Sequence, residues 1–188
     1  MIGCSEFCGH YCYTFEWIRA RAGEEALREY WTEAVARDSQ QHAADLIIPQ
    51  GIEGMVQYWG HTLAEEEAGY VSAYDVGDES GKPYYRIDMF ACPSLGYNLA
   101  HGYSYYHDYC SHCMGWIQDI MDRAGFVIHH DHDHRGRCWW EMRPADNDPG
   151  PSEPGELTGR DDVRLLPDYA EGTHHCWQAG RPVCWPDK

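Results

Sequence analysis

Basic residues are scarce in this chain. Its 188 residues hold 14 lysines and arginines against 31 aspartates and glutamates, a formal charge of -17, and only Lys82 and Lys188 are lysines. A surface of that sign repels phosphodiester backbones and anionic lipid headgroups, so nucleic acid and membrane surfaces are poor partners. The same lysine-poor acidity also suits a salty environment. Long apolar runs are missing, and no window approaches the ~20 residues a spanning helix needs. The opening MIGCSEFCGHYC lacks both the basic start and the apolar stretch of an export signal. The expectation is a cytoplasmic protein whose nine cysteines are reduced thiols, available for metal binding, catalysis or packing. An odd count cannot pair completely. With 43% apolar residues the chain can bury one core, and its length speaks against two full domains.

Apolar periodicity predicts helices first. Residues 4–22 carry the stripe Phe7, Tyr11, Phe15, Ile18, with Cys4, Cys8 and Cys12 on one face as buried small hydrophobes or soft-metal ligands. Their spacing matches neither a zinc ribbon nor the usual iron-sulfur runs. Gly23 breaks the pattern, and a second helix is predicted over 24–46 with Leu27, Tyr30, Trp31 and Ala34 inward. A third spans 51–67, with Met55, Tyr58, Trp59 and Leu63 inward and AEEEAG at its end as a solvated charge run. The period then becomes two. Residues 70–76 and 84–91 flank GDESGK and read as a hairpin, whose second strand runs into Cys92 and Pro93.

A fourth helix is predicted over 103–123, presenting Tyr106, Cys110, Cys113, Met114, Ile117 and Met121 on one face, with His107 one turn before Cys110. Gly125 closes it. In the strand 126–134, alternation puts His130, His132 and His134 on one face, about 7 Å apart. They suit supplying two ligands to a metal such as zinc, iron or copper, with Cys113 a further soft ligand; equally, they form a solvated strand tip. A two-residue turn at Arg135 and Gly136 sets Cys138 opposite Asp133, whereas a one-residue slip sets it beside the histidine face. Beyond the domain at 1–143, a proline- and acid-rich linker (144–162) precedes a tail (163–188) whose His174, His175, Cys176 and Cys184 suggest a metal site and whose Trp177 and Trp185 suggest docking. The fold class is α+β: N-terminal helices packed on a small antiparallel sheet of about four strands, with an irregular C-terminal tail.

Three short motifs, FACP (Cys92, Pro93), HDYCSHC (Tyr109, Cys110) and GRCWWE (Gly136, Cys138, Trp139), occur in order within residues 70–142. In this the chain resembles the L-2-amino-thiazoline-4-carboxylic acid hydrolase-like family. The resemblance implies a cysteine-containing pocket in which water adds to the amidine-like carbon of a thiazoline ring and the ring opens. A thiolate of depressed pKa from Cys92, Cys110 or Cys138 would attack, with His107 or His130 as base, or a metal held by histidine and cysteine would supply hydroxide. Three readings stay open: a small hydrolase acting on a C–N or C–S bond of a heterocyclic or amino-acid-like substrate, a zinc, iron or copper protein of other chemistry, and a metal-storage or assembly protein. The 14 tyrosines would serve a homo-oligomer as well as a core. The readings divide on whether Cys92, Cys110 and Cys138 share one cavity.

Overall fold

The computed structural model describes residues 4–77 and 80–153. The linker beyond residue 153, the tail at 163–188 and the side chains of Cys4 and Cys8 lie outside the described residues. The α+β expectation holds: helices come first, then a four-stranded antiparallel sheet in the order β1-β2-β4-β3. No helix among the described residues is long and apolar enough to cross a membrane.

The helical third is jointed differently from its periodicity. Helix α1 (Cys4–Glu29) passes through Gly23, whose φ of 89° only glycine adopts without steric cost. The predicted second helix over 24–46 is not continuous. A π-helical segment, Tyr30–Ser39, follows α1 directly, and Gln40 donates its N–H to the Val35 carbonyl at 2.8 Å before α2 (Gln41–Gln50) begins. Helix α3 (Ile52–Glu65) buries Met55, Tyr58, Trp59 and Leu63 as its pattern requires. At Gly54 a Cβ would stand 2.5 Å from the Leu46 carbonyl oxygen, so α2 and α3 meet at a separation that excludes any side chain there.

Strands β1 (Gly69–Asp75) and β2 (Tyr84–Ala91) form one hairpin, β3 (Phe126–His132) and β4 (Cys138–Pro144) the other, and β2 pairs with β4 at the centre. Residues directly opposite one another share a face. Tyr85, Ile87 and Met89 of β2 therefore lie beside Met142, Trp140 and Cys138 of β4, and the core between sheet and helices holds all six with Ile47, Met55, Trp59 and Ile117. A second, smaller core of Cys12, Phe15, Leu27, Trp31, Leu95 and three tyrosines lies under α1.

Between the hairpins the prediction of one long helix over 103–123 needs correction. A short α4 (Leu95–Ala100) comes first, and α5 starts only at Ser111, running to Ala124. Tyr105, Tyr106 and Tyr109 are buried in the second core from turns and irregular backbone, so their apolar spacing mimics a helical stripe without a helix.

The far face of β2 and β4 buries charge. Arg86 reaches Asp88 at 2.7 Å and Glu141 at 3.1 Å, Arg143 reaches Glu141 at 2.7 Å and Ser152 at 3.0 Å, and the Arg86 guanidinium lies 4.4 Å from the centre of the Trp139 ring. All four charges are at most 4% exposed, so each depends on the others for solvation. Arg86→Met should lower unfolding stability by about 3–5 kcal/mol in urea titration, because it removes the guanidinium with which the buried Asp88 carboxylate pairs and leaves Glu141 to Arg143 alone. A loss of less than about 1 kcal/mol would mean that water reaches them.

Candidate functional site

The cysteines of the site sit at or near the ends of elements. Strand β2 delivers Met89 and then Cys92, whose N–H donates to the Gly136 carbonyl in the β3–β4 connection at 2.8 Å. That connection is not the two-residue turn. It runs through residues 133–137, and the buried Asp133 carboxylate accepts N–H bonds from Arg135 at 2.7 Å and Arg137 at 3.2 Å. The pairing that results is His132 with Cys138 and His130 with Trp140, the alternative register, in which Cys138 lies beside the histidine face. Gly136 has φ 88°, and a Cβ there would stand 3.1 Å from the Cα of Gly96 and 3.4 Å from the Cβ of Cys92. A bare backbone is what lets the two loops touch.

Cys92, Cys110, Cys113 and Cys138, with His112, His130 and His132, line one cavity of about 310 Å³ between sheet and helices. Phe7 and Tyr11 of α1, both substantially exposed, also line it, and Tyr58 and Glu66 line it from α3 and just past its end. His107 and His134 do not line it. The His107 ring packs against Tyr106, and His134, with φ 56°, has left the strand and is buried with its ring 4.4 Å from that of His132. The His130 and His132 rings lie parallel within 4°, centres 5.7 Å apart, so their in-plane lone pairs do not converge. His130, His132, His134 and Cys113 are thus not assembled as one ligand set, and among the described residues no group of three or more His, Cys, Asp or Glu side chains is placed to hold a metal.

The proton affinities contradict the expectation of a depressed thiol. Burial pushes Cys92 up, and the Glu66 charge adds to it, against the pull of backbone N–H groups of Ser94, Gly96 and Leu95 on the sulfur. Burial pushes Cys110 and Cys138 well above the usual thiol range, with the neighbouring thiols acting in the same direction. All three therefore rest as neutral S–H. Burial brings His112 down to about 4, and its Nδ1–H donates to the Tyr109 carbonyl, which leaves Nε2 to accept a proton; the Cys113 sulfur is 3.9 Å from that atom. Glu66 is raised by burial and by Glu65, and its charge bears on Tyr58, which burial pushes up to about 12.

No protein-family model and no curated protein matches the chain. The site therefore rests on its own chemistry. His112 and Glu66 were not among the predicted residues: the helical pattern put His112 off the inner face, and the acidic run hid the one glutamate that turns inward. Both carry a signal that only burial supplies.

Gly136→Ala should cost about 1–3 kcal/mol in thermal or urea unfolding, since strain at positive φ adds to a clash with Gly96. Gly102→Ala, at φ 66° with no atom within 4 Å, supplies the strain without the clash and should cost less. His112 imposes a pH dependence of definite sign. With a folded value of about 4 against a model 6.5, the unfolded chain binds the proton first as pH falls. Its contribution is present above about pH 6.5 and is lost toward pH 4, by about 3 kcal/mol. His112→Gln should flatten that part of the stability profile relative to wild type, and equal slopes for the two proteins would refute the assignment.

Proposed function

We propose that this protein is a hydrolase-type enzyme that breaks a C–N or C–S bond of a small heterocyclic or amino-acid-like molecule through Cys92. The supporting observation is that cysteines from the end of β2, the start of α5 and the start of β4 open onto one cavity, together with imidazoles and a carboxyl group. Cys92 is preferred to Cys110 and Cys138 because its sulfur alone receives several backbone N–H groups that favour the thiolate. The resemblance to the thiazoline-carboxylate hydrolases supplies the substrate class. A thiol that acts only when reduced fits a cytoplasmic setting.

In this reading the neutral thiol passes its proton to Glu66, whose raised carboxyl is suited to hold it, and the sulfur adds to the electrophilic ring carbon. The departing ring nitrogen or sulfur takes that proton. Water then attacks the same carbon and expels Cys92, whose sulfur recovers a proton as the second bond breaks. His107, outside the cavity, has no part in it.

The test is to incubate the reduced full-length protein with 2-amino-thiazoline-4-carboxylate and related cyclic amidines and to follow a product heavier by one water by mass spectrometry. Cys92→Ser should slow turnover by about 1,000-fold or more, the scale on which loss of a nucleophile acts. Chelators should leave turnover unchanged. The proposal fails if no such compound is consumed, or if Cys92→Ser turns over at the wild-type rate.

A further inference from the structure

Helix α3 presents a polar edge to the cavity. Tyr58, Thr62 and Glu66 line it at i, i+4 and i+8, so they follow one another along one side of the helix over about 12 Å, with Glu66 at its C-terminal cap. Their hydroxyl protons are already committed. Tyr58 donates its O–H to Gln40 Oε1 at 2.7 Å, and Thr62 donates its Oγ–H to the Tyr58 carbonyl at 3.1 Å. What this strip offers a ligand is therefore acceptors: the two hydroxyl oxygens and the Glu66 carboxylate, the only carboxyl group among the described residues that line the cavity.

Rings make up much of the remaining wall. The Trp59 ring stands 5.6 Å from Tyr58 and 6.0 Å from Trp140 between centres, and the Phe15 ring stands 5.2 Å from His112 and 6.0 Å from Tyr11. The first set belongs to the main core and Phe15 to the core under α1, so the cavity lies where the two cores meet and takes aromatic surface from both. We propose that the cavity binds a flat aromatic ring system with an amidine or guanidine edge, its faces against those rings and its N–H groups on Thr62 and Glu66. A row of acceptors selects a row of donors, because a ligand without them leaves buried oxygens unpaired. A protonated edge pairs with the Glu66 carboxylate, and its delocalised charge is attracted to the faces of tryptophan and tyrosine. The formal charge of -17 draws such a cation toward the protein. At about 310 Å³ the space is near the lower end of small-molecule sites, which suits one or two fused rings.

The inference rests on the hydrolytic reading only in naming this ring as the substrate's. Binding of 2-aminobenzimidazole is therefore measured by calorimetry on reduced, full-length wild-type and Cys92→Ser protein, so that a failure of the hydrolysis leaves the binding result standing. Two analogues separate the features: 2-methylbenzimidazole keeps the shape and loses the amino group, and the octahydro counterpart keeps the guanidine edge and loses the aromatic face. Each should bind about 10-fold or more weakly than 2-aminobenzimidazole. Glu66→Gln should weaken 2-aminobenzimidazole by about 10- to 100-fold, the scale of a charge-assisted hydrogen bond, and should leave 2-methylbenzimidazole nearly unchanged. The proposal is overturned if 2-aminobenzimidazole does not bind, if either analogue binds as tightly, or if Glu66→Gln retains the wild-type affinity. The analogue series on wild-type protein decides the matter even where a variant does not fold.

Discussion

One hydrogen bond, from the Cys92 N–H to the Gly136 carbonyl, holds the site together. It ties the end of the first hairpin to the turn of the second, and it forms only because Gly96 and Gly136 bring bare backbone into contact. The β2–β4 pairing sets Met89 beside Cys138, and the bond then carries the chain on so that Cys92 opens onto the same space. The buried ion pairs on the far face act on the same two strands. Arg86 joins Asp88 on its own strand to Glu141 on the next, and the planar guanidinium fork suits that double contact in a way a lysine would not. A chain with so little lysine places arginine where two buried carboxylates must be neutralised at once.

Electrostatics inside and outside this molecule run in opposite directions. The chain as a whole is strongly anionic, yet within the cavity Cys92, Cys110 and Cys138 are held protonated by burial, and His112 is held neutral by the same cause. Neutral soft donors in apolar surroundings do not react spontaneously. Any chemistry at Cys92 has to begin with removal of a proton, and Glu66 is the nearby group whose own affinity has moved toward accepting one.

Much of this arrangement was legible in the sequence, and the illegible parts share a cause. Helix α3 and strand β2 follow from apolar spacing, because their inner faces meet the core along their length, whereas β1 touches it through Tyr70 and is held by its pairing with β2. The register of β3 on β4 was narrowed to two choices and no further, since the deciding contact is Asp133 capturing the N–H groups of Arg135 and Arg137. Periodicity does not register a side chain bonding to its own loop. The tyrosines near Cys110 gave the opposite error, burying rings at helical spacing from backbone that turns before α5. Glu66 was concealed by composition. Three adjacent glutamates look alike in a string, and only the stop of α3 distinguishes the one facing the cavity from its neighbours.

A small electrophile in the proposed reaction demands that Cys92 surrender its proton inside a poorly solvated cavity. Addition to a carbon centre would end neutral once that proton had reached the leaving atom, so the wall of methionine and tryptophan would impose no lasting penalty. The backbone N–H groups of Ser94, Leu95 and Gly96 favour the thiolate that must form on the way, and they come from the loop that Gly136 clamps. The geometry of that loop, more than the identity of any one base, is what makes the sulfur of Cys92 different from the other three.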